Sequence, residues 1–185
     1  MRRTLNHDRA TLNGRGYAET WITGRPDYVM SRQRDIYAVW RRLAPVPGGR
    51  WLFGRLVCRN APYFATIRPA IAELRPGRCE VRMRKRRAVE NHIRTVHAIA
   101  ICNLAELAAG LVSDVTVPAT HRWIPKGMTV EYLKKAATDL RAVAELDLLP
   151  ALGAKAEVPV YVTAFDGSGE AVFRATIRMW VSQRH

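Results

Sequence analysis

The sequence predicts an α+β chain in which a curved antiparallel sheet of about six strands wraps around one long buried helix, with extra helices ahead of it. Three observations carry this. From Val96 onward the chain is rich in Ala and Leu, apolar on nearly every side and free of Pro until Pro118, as a helix buried all round would be. Residues 79 to 85 and 171 to 181 alternate apolar and polar side chains, as half-buried strands do. Two such strands precede the helix and four follow it. A sheet curved about the helix is the simplest way to bury it.

In chain order, residues 1 to 27 are polar and Arg-rich, and read as a loose leader with a turn at Gly24-Arg25-Pro26. Residues 28 to 60 read as a helical extension. Ile36, Val39, Trp40 and Leu43 repeat at three and four, an amphipathic stripe over 28 to 43, which Pro45 and Pro47-Gly48-Gly49 end. A shorter helix follows over 51 to 58. Residues 61 to 183 form the main domain. Its first strand, 61 to 75, is irregular because Pro69 interrupts it, and Arg75-Pro76-Gly77-Arg78 turns the chain. In the second, Cys79, Val81 and Met83 share one face, with Glu80, Arg82 and Arg84 on the other. After the helix, residues 113 to 120 read as a linker, and strands follow over 128 to 135, 139 to 148, 158 to 165 and 171 to 181. Asp166-Gly167-Ser168-Gly169 is a strong hairpin signal between the last two. No internal repeat is visible.

Composition narrows the function. The chain has 185 residues, a net charge of +14 and a pI near 10.7, a balance that favours polyanionic partners. Yet 25 of its 30 basic residues are Arg beside much Ala, a bias that a high-GC genome also produces. No nucleic-acid motif or single basic helical stripe is present, so nucleic acid is disfavoured as a partner. No apolar run reaches the ~20 residues of a membrane span, and no secretory h-region is visible. Cys58, Cys79 and Cys102 are odd in number and lack metal-type spacing, which suits a reducing cytoplasm and implies neither a metal nor a cofactor. No serine elbow or phosphate-binding glycine loop occurs, which sets aside serine hydrolase and nucleotidase chemistry.

One acid, Glu106, stands in the predicted helix. A lone buried carboxylate costs several kcal/mol, so it needs a structural partner or a chemical role. Asn103 lies three residues before it, on the same face. His97 is nine residues away, about half a turn out of phase and about 13 Å along the axis. One helix cannot bring His97 and Glu106 together. Two antiparallel copies could, which would place a joint site between subunits.

Asn91, Thr95, His97 and Glu106 fall without a gap on a pattern of Asn-x-x-Gly-Thr-x-His-Gly-Gly followed by a long helix carrying an acid. In this the chain resembles the hotdog-fold thioesterases of the phenylacetyl-CoA type. The flanks, over roughly 30 to 183, are similar to a domain-of-unknown-function branch of that superfamily. Arg94 stands where the pattern has Gly, and Ala98-Ile99 replace its last two glycines. The resemblance implies the hotdog fold, assembly as a homodimer or dimer of dimers, and hydrolysis of an acyl-CoA or acyl-carrier-protein thioester in fatty acid metabolism. The backbone N–H of Ala98 or Ile99 at the helix start would hold the thioester oxygen. Glu106 of the other subunit would act as general base or nucleophile, Asn91 would orient the water or carboxylate, and His97 would hydrogen-bond within the site. Asn103 would line the substrate site, and Arg84, Lys85, Arg86 and Arg87 would dock CoA phosphates. The same residues leave open a non-catalytic protein that binds acyl-CoA or a fatty acyl group.

Overall fold

A computed structural model describes residues 32–147 and 152–184. The leader expected over 1 to 27 lies outside the described residues. Among the described residues two helices come first, α1 (Arg32–Leu43) and α2 (Gly49–Asn60), joined by a tight corner. Gly48 takes φ +74 there, and an added Cβ at Gly49 would lie 1.9 Å from the Leu43 carbonyl oxygen. Trp40 of α1 meets Phe53 of α2 edge to face at 5.1 Å. Both rings are buried in the common core.

The strands are β1 (Ala70–Arg75), β2 (Arg78–Met83), β3 (His121–Tyr132), β4 (Leu140–Glu145), β5 (Lys155–Phe165) and β6 (Ala171–Gln183). All neighbours pair antiparallel, in the order β1-β2-β4-β5-β6-β3. The central helix α3 (Ala98–Thr116) runs between β2 and β3 and packs on this sheet. The expected alternation sets the inner face: Cys79, Val81 and Met83 of β2, and Phe173, Ala175, Ile177, Met179 and Val181 of β6, are buried. Pro159 sits in β5 opposite Arg178 of β6, beyond the stretch where β4 pairs with β5, so its missing N–H breaks no ladder. By length and composition α3 could also cross a membrane, but it is the helix packed against the sheet.

Three expectations need correction. Residues 62–67 form a 3₁₀ turn (Pro62–Ile67) and not the start of a strand. Pro62 opens it, the Thr66 hydroxyl donates to the Tyr63 carbonyl at 2.7 Å, and Arg68 ends it at φ +47. The helix does not stop at residue 113. The Ser113 and Thr116 hydroxyls donate to the carbonyls four residues back at 2.7 and 2.6 Å, which accommodates both residues in the helix. Val117, restricted by the following Pro118, turns extended and ends it. Finally, β3 begins at His121, well before residue 128, and takes Pro125 at a bulge on the sheet's outer edge.

Candidate active site

The loop entering α3 is built by Asn91. Its Oδ1 accepts from the Ile93 and Thr95 backbone N–H groups at 3.1 and 3.0 Å, and its Nδ2 donates to Thr95 Oγ1 at 2.8 Å. The Asn91 N–H donates to the Thr95 carbonyl, and the Arg94 N–H returns to the Asn91 carbonyl. This closed turn holds Arg94 at φ +61, the left-handed region. The glycine of the motif has a backbone reason, and Arg94 occupies its conformation regardless. Val96 N–H donates to Ala136 O and His97 N–H to Val89 O, both at 2.8 Å, which pins the start of the helix.

His97 is the N-cap of α3. Its Nδ1 accepts from the Ile99 N–H at 3.1 Å, so a neutral ring carries its proton on Nε2. The two candidate backbone donors are thereby separated. Ile99 N–H is committed to His97, whereas Ala98 N–H meets no acceptor among the described residues. It points from the positive end of a 19-residue helix. Its neighbours His97 and Ile99 line a cavity of about 220 Å³, together with Tyr63, Thr66, Val89 and Asn103, among others.

Asn103 is oriented by its partner. The Thr66 hydroxyl spends its proton on Tyr63 O, so it accepts from Asn103 Nδ2, at 3.1 Å. Asn103 Oδ1 is left buried with no donor among the described residues. Such a group costs about 1–3 kcal/mol, and it belongs to a residue lining the cavity. The sequence named Asn103 but missed Tyr63 and Thr66, because the 3₁₀ turn that carries them looked like a strand.

Glu106 is exposed in the single chain, where its helix was expected to be buried all round. It belongs to a stripe at helical spacing in which Ile99 and Glu106 are exposed and Cys102 and Gly110 are half-buried. Cys102 Sγ lies 3.3 Å from the Tyr132 hydroxyl at the end of β3, a hydrogen bond that pushes the phenol up to about 12. Glu106 lines a different cavity, of about 370 Å³, with Phe64, Leu107, Leu111, Trp123 and Met179 among its apolar walls. One chain therefore sets His97, Ile99 and Asn103 around one cavity, keeps Asn91 in the loop ahead of the helix and Ala98 at its first position, and places Glu106 in another cavity.

The basic cluster also divides. Lys85 pairs with Glu90 at 2.9 Å, and its backbone N–H donates to Asp139. Arg86 donates through Nη2 to the Thr66 carbonyl, with its Nε buried. Arg84 and Arg87 are exposed and have no ion-pair partner among the described residues. His121, buried on β3, is held by Thr120 and the Gly153 carbonyl.

Comparison with known proteins places the fold. The family described as a domain of unknown function, DUF4442, matches residues 49–181. A crystal structure described as genomics APC5556 is 48% identical, with TM-score 0.69, covering 84% of this chain and 99% of that one. PA5026 from Pseudomonas aeruginosa, described as a protein of unknown function and a "Probable Thioesterase", is 25% identical with TM-score 0.66, covering 75% and 97%. A thioesterase family protein from Silicibacter pomeroyi shares the fold at 22% identity and TM-score 0.59, covering 71% and 96%. No curated protein matches the chain. The chain belongs to the DUF4442 family, a domain-of-unknown-function branch of the hotdog-fold thioesterase superfamily.

Proposed function

We propose that the protein hydrolyses an acyl thioester, of CoA or of a carrier protein, at a site shared by two antiparallel copies. The observation that carries this is the open Ala98 N–H at the start of a helix whose acid, eight residues on, faces away on an exposed stripe. Eight residues are about 12 Å of helix. A second copy, laid antiparallel, supplies Glu106 where the first supplies Ala98.

In this reading the Ala98 N–H donates to the thioester oxygen as negative charge develops, aided by the helix dipole. Glu106 of the second copy takes a proton from water as the water attacks the carbonyl carbon. The tetrahedral intermediate collapses, the C–S bond breaks, and Glu106 returns the proton to the departing sulfur. Asn91 shapes the loop, with one amide N–H still open toward water or the carboxylate. His97 fixes the helix start, and Ile99 and Asn103 line the substrate cavity. The apolar cavity beside Glu106 suits the acyl chain. Arg84 and Arg87 keep free guanidinium groups for CoA phosphates, while Lys85 and Arg86 hold the loop. The three free thiols suit a reducing cytoplasm.

Two variants test the reading on a panel of acyl-CoA esters from acetyl to palmitoyl. Glu106→Gln lowers kcat about 10²- to 10⁴-fold with little change in KM. Ala98→Pro removes the N–H at the one helical position that accepts proline, after a residue already extended at ψ 137, and lowers kcat about 10²-fold or more while the protein stays folded. Wild-type protein that binds acyl-CoA saturably but turns over none of the esters would sink hydrolysis and leave an acyl-binding protein, which the replacement of the motif's two glycines by Ala98 and Ile99 also favours.

A further inference from the structure

Between Ile36 and Ala72 the chain contains no acid. Asp35 precedes this stretch and Glu73 follows it, and within it stand Arg41, Arg42, Arg50, Arg55, Arg59 and Arg68. None of the six takes part in an ion pair among the described residues, although acids elsewhere pair readily.

Helix α2 lies in this stretch with two distinct faces. Phe53, Gly54 and Val57 are buried. On the opposite face Trp51 is 67% exposed, Leu52 42% and Leu56 40%, and Val46 on the turn before it is 53% exposed. Trp51, Arg55 and Arg59 repeat at four, as do Leu52 and Leu56, so the apolar and basic side chains share one surface. The Arg55 guanidinium lies over the Trp51 ring at 5.1 Å. A groove of about 1050 Å³, lined by these residues with Arg68 and Arg84, runs between α2 and β1.

We propose that this face of α2 docks the protein on an anionic lipid surface. An interfacial helix presents Trp and Leu to the boundary of headgroups and acyl chains and Arg to the lipid phosphates. Each basic residue near such a surface raises binding about fivefold. A second copy is a poor occupant, because a two-fold contact would set arginines against arginines with no acid between them. Nucleic acid would use the guanidinium groups and Trp51 but has no use for Val46, Leu52 and Leu56, which lack a stacking face. The patch adjoins β1, at the opposite sheet edge from β3. It shares Arg84 with the CoA-phosphate dock proposed above and is otherwise separate from the hydrolysis, and every variant below leaves Arg84 in place.

The test is co-sedimentation of the full chain with vesicles of phosphatidylcholine alone or with a third phosphatidylglycerol. Binding should be at least tenfold stronger to the anionic vesicles. The double variant Trp51→Ser/Leu56→Ser should reduce it at least tenfold at constant salt, with an unchanged melting temperature. Arg55→Glu/Arg59→Glu should reduce it as far. Absence of binding to either vesicle overturns the proposal. So does anionic binding that the serine variant leaves intact and that polyglutamate or an oligonucleotide displaces equally well, which would mark generic polyanion attraction.

Discussion

Arg94 shows how a departure from a motif can be tolerated. Its φ of +61 disfavours every side chain with a Cβ, and β-branched ones most. The turn closed by Asn91 holds it there through hydrogen bonds at both ends. Arg94→Val should therefore cost about 1–2 kcal/mol in urea unfolding, whereas Arg94→Gly should not destabilise. Loss of stability with glycine and none with valine would show that the turn does not constrain the residue. Asn91, Thr95 and His97 stand out by their match to the family pattern, whose spacing is local and legible without any packing. The sequence could not tell that Asn91 uses Oδ1 on two backbone N–H groups, or that His97 takes the Ile99 N–H. Both depend on how the loop closes, which spacing does not report.

At the level of elements, alternation located the strands well, because one buried face imposes a period of two. It failed where that period arose by chance. Phe64 and Thr66 alternate like strand residues, yet Pro62 and the Thr66–Tyr63 hydrogen bond wind the segment into a 3₁₀ turn. It failed also at Ser113 and Thr116, poor helix interior residues that bond back to carbonyls of the preceding turn. Glycines predicted the break between α1 and α2, but only packing shows how close the corner is. Gly49→Ala would drive a Cβ to 1.9 Å from the Leu43 carbonyl oxygen, a backbone atom that cannot swing aside. A loss of about 3 kcal/mol or more is expected in thermal or urea unfolding, and Gly48→Ala, with open space around its Cβ, should cost less. Equal costs would mean that the corner relaxes.

For the whole molecule, the residue placed least well by the sequence was Glu106. Hydrophobicity read its helix as buried all round, yet in the single chain the stripe of Ile99, Cys102, Glu106 and Gly110 is uncovered in part. In the shared-site reading a second copy supplies the rest of that cover. Subunit mixing tests the shared site directly. Ala98→Pro and Glu106→Gln homodimers should each be inactive. Refolded together in equal amounts, half of the dimers are mixed, and each mixed dimer carries one site free of both changes. About a quarter of wild-type activity should return. No recovery, with mixed dimers shown to form, would place both groups in one chain.

The eight-residue interval between Ala98 and Glu106 has one more consequence. If each helix start meets the other copy's carboxylate, the symmetry axis passes beside the residue midway between them. That residue is Cys102, half-buried on the same stripe and touching Tyr132. Its neighbour across the axis is its own image, so whatever stands at position 102 is felt twice. A carboxylate there would confront a carboxylate, and a bulky ring would confront a ring. Under that arrangement a single codon change at position 102 bears directly on whether two copies stay together.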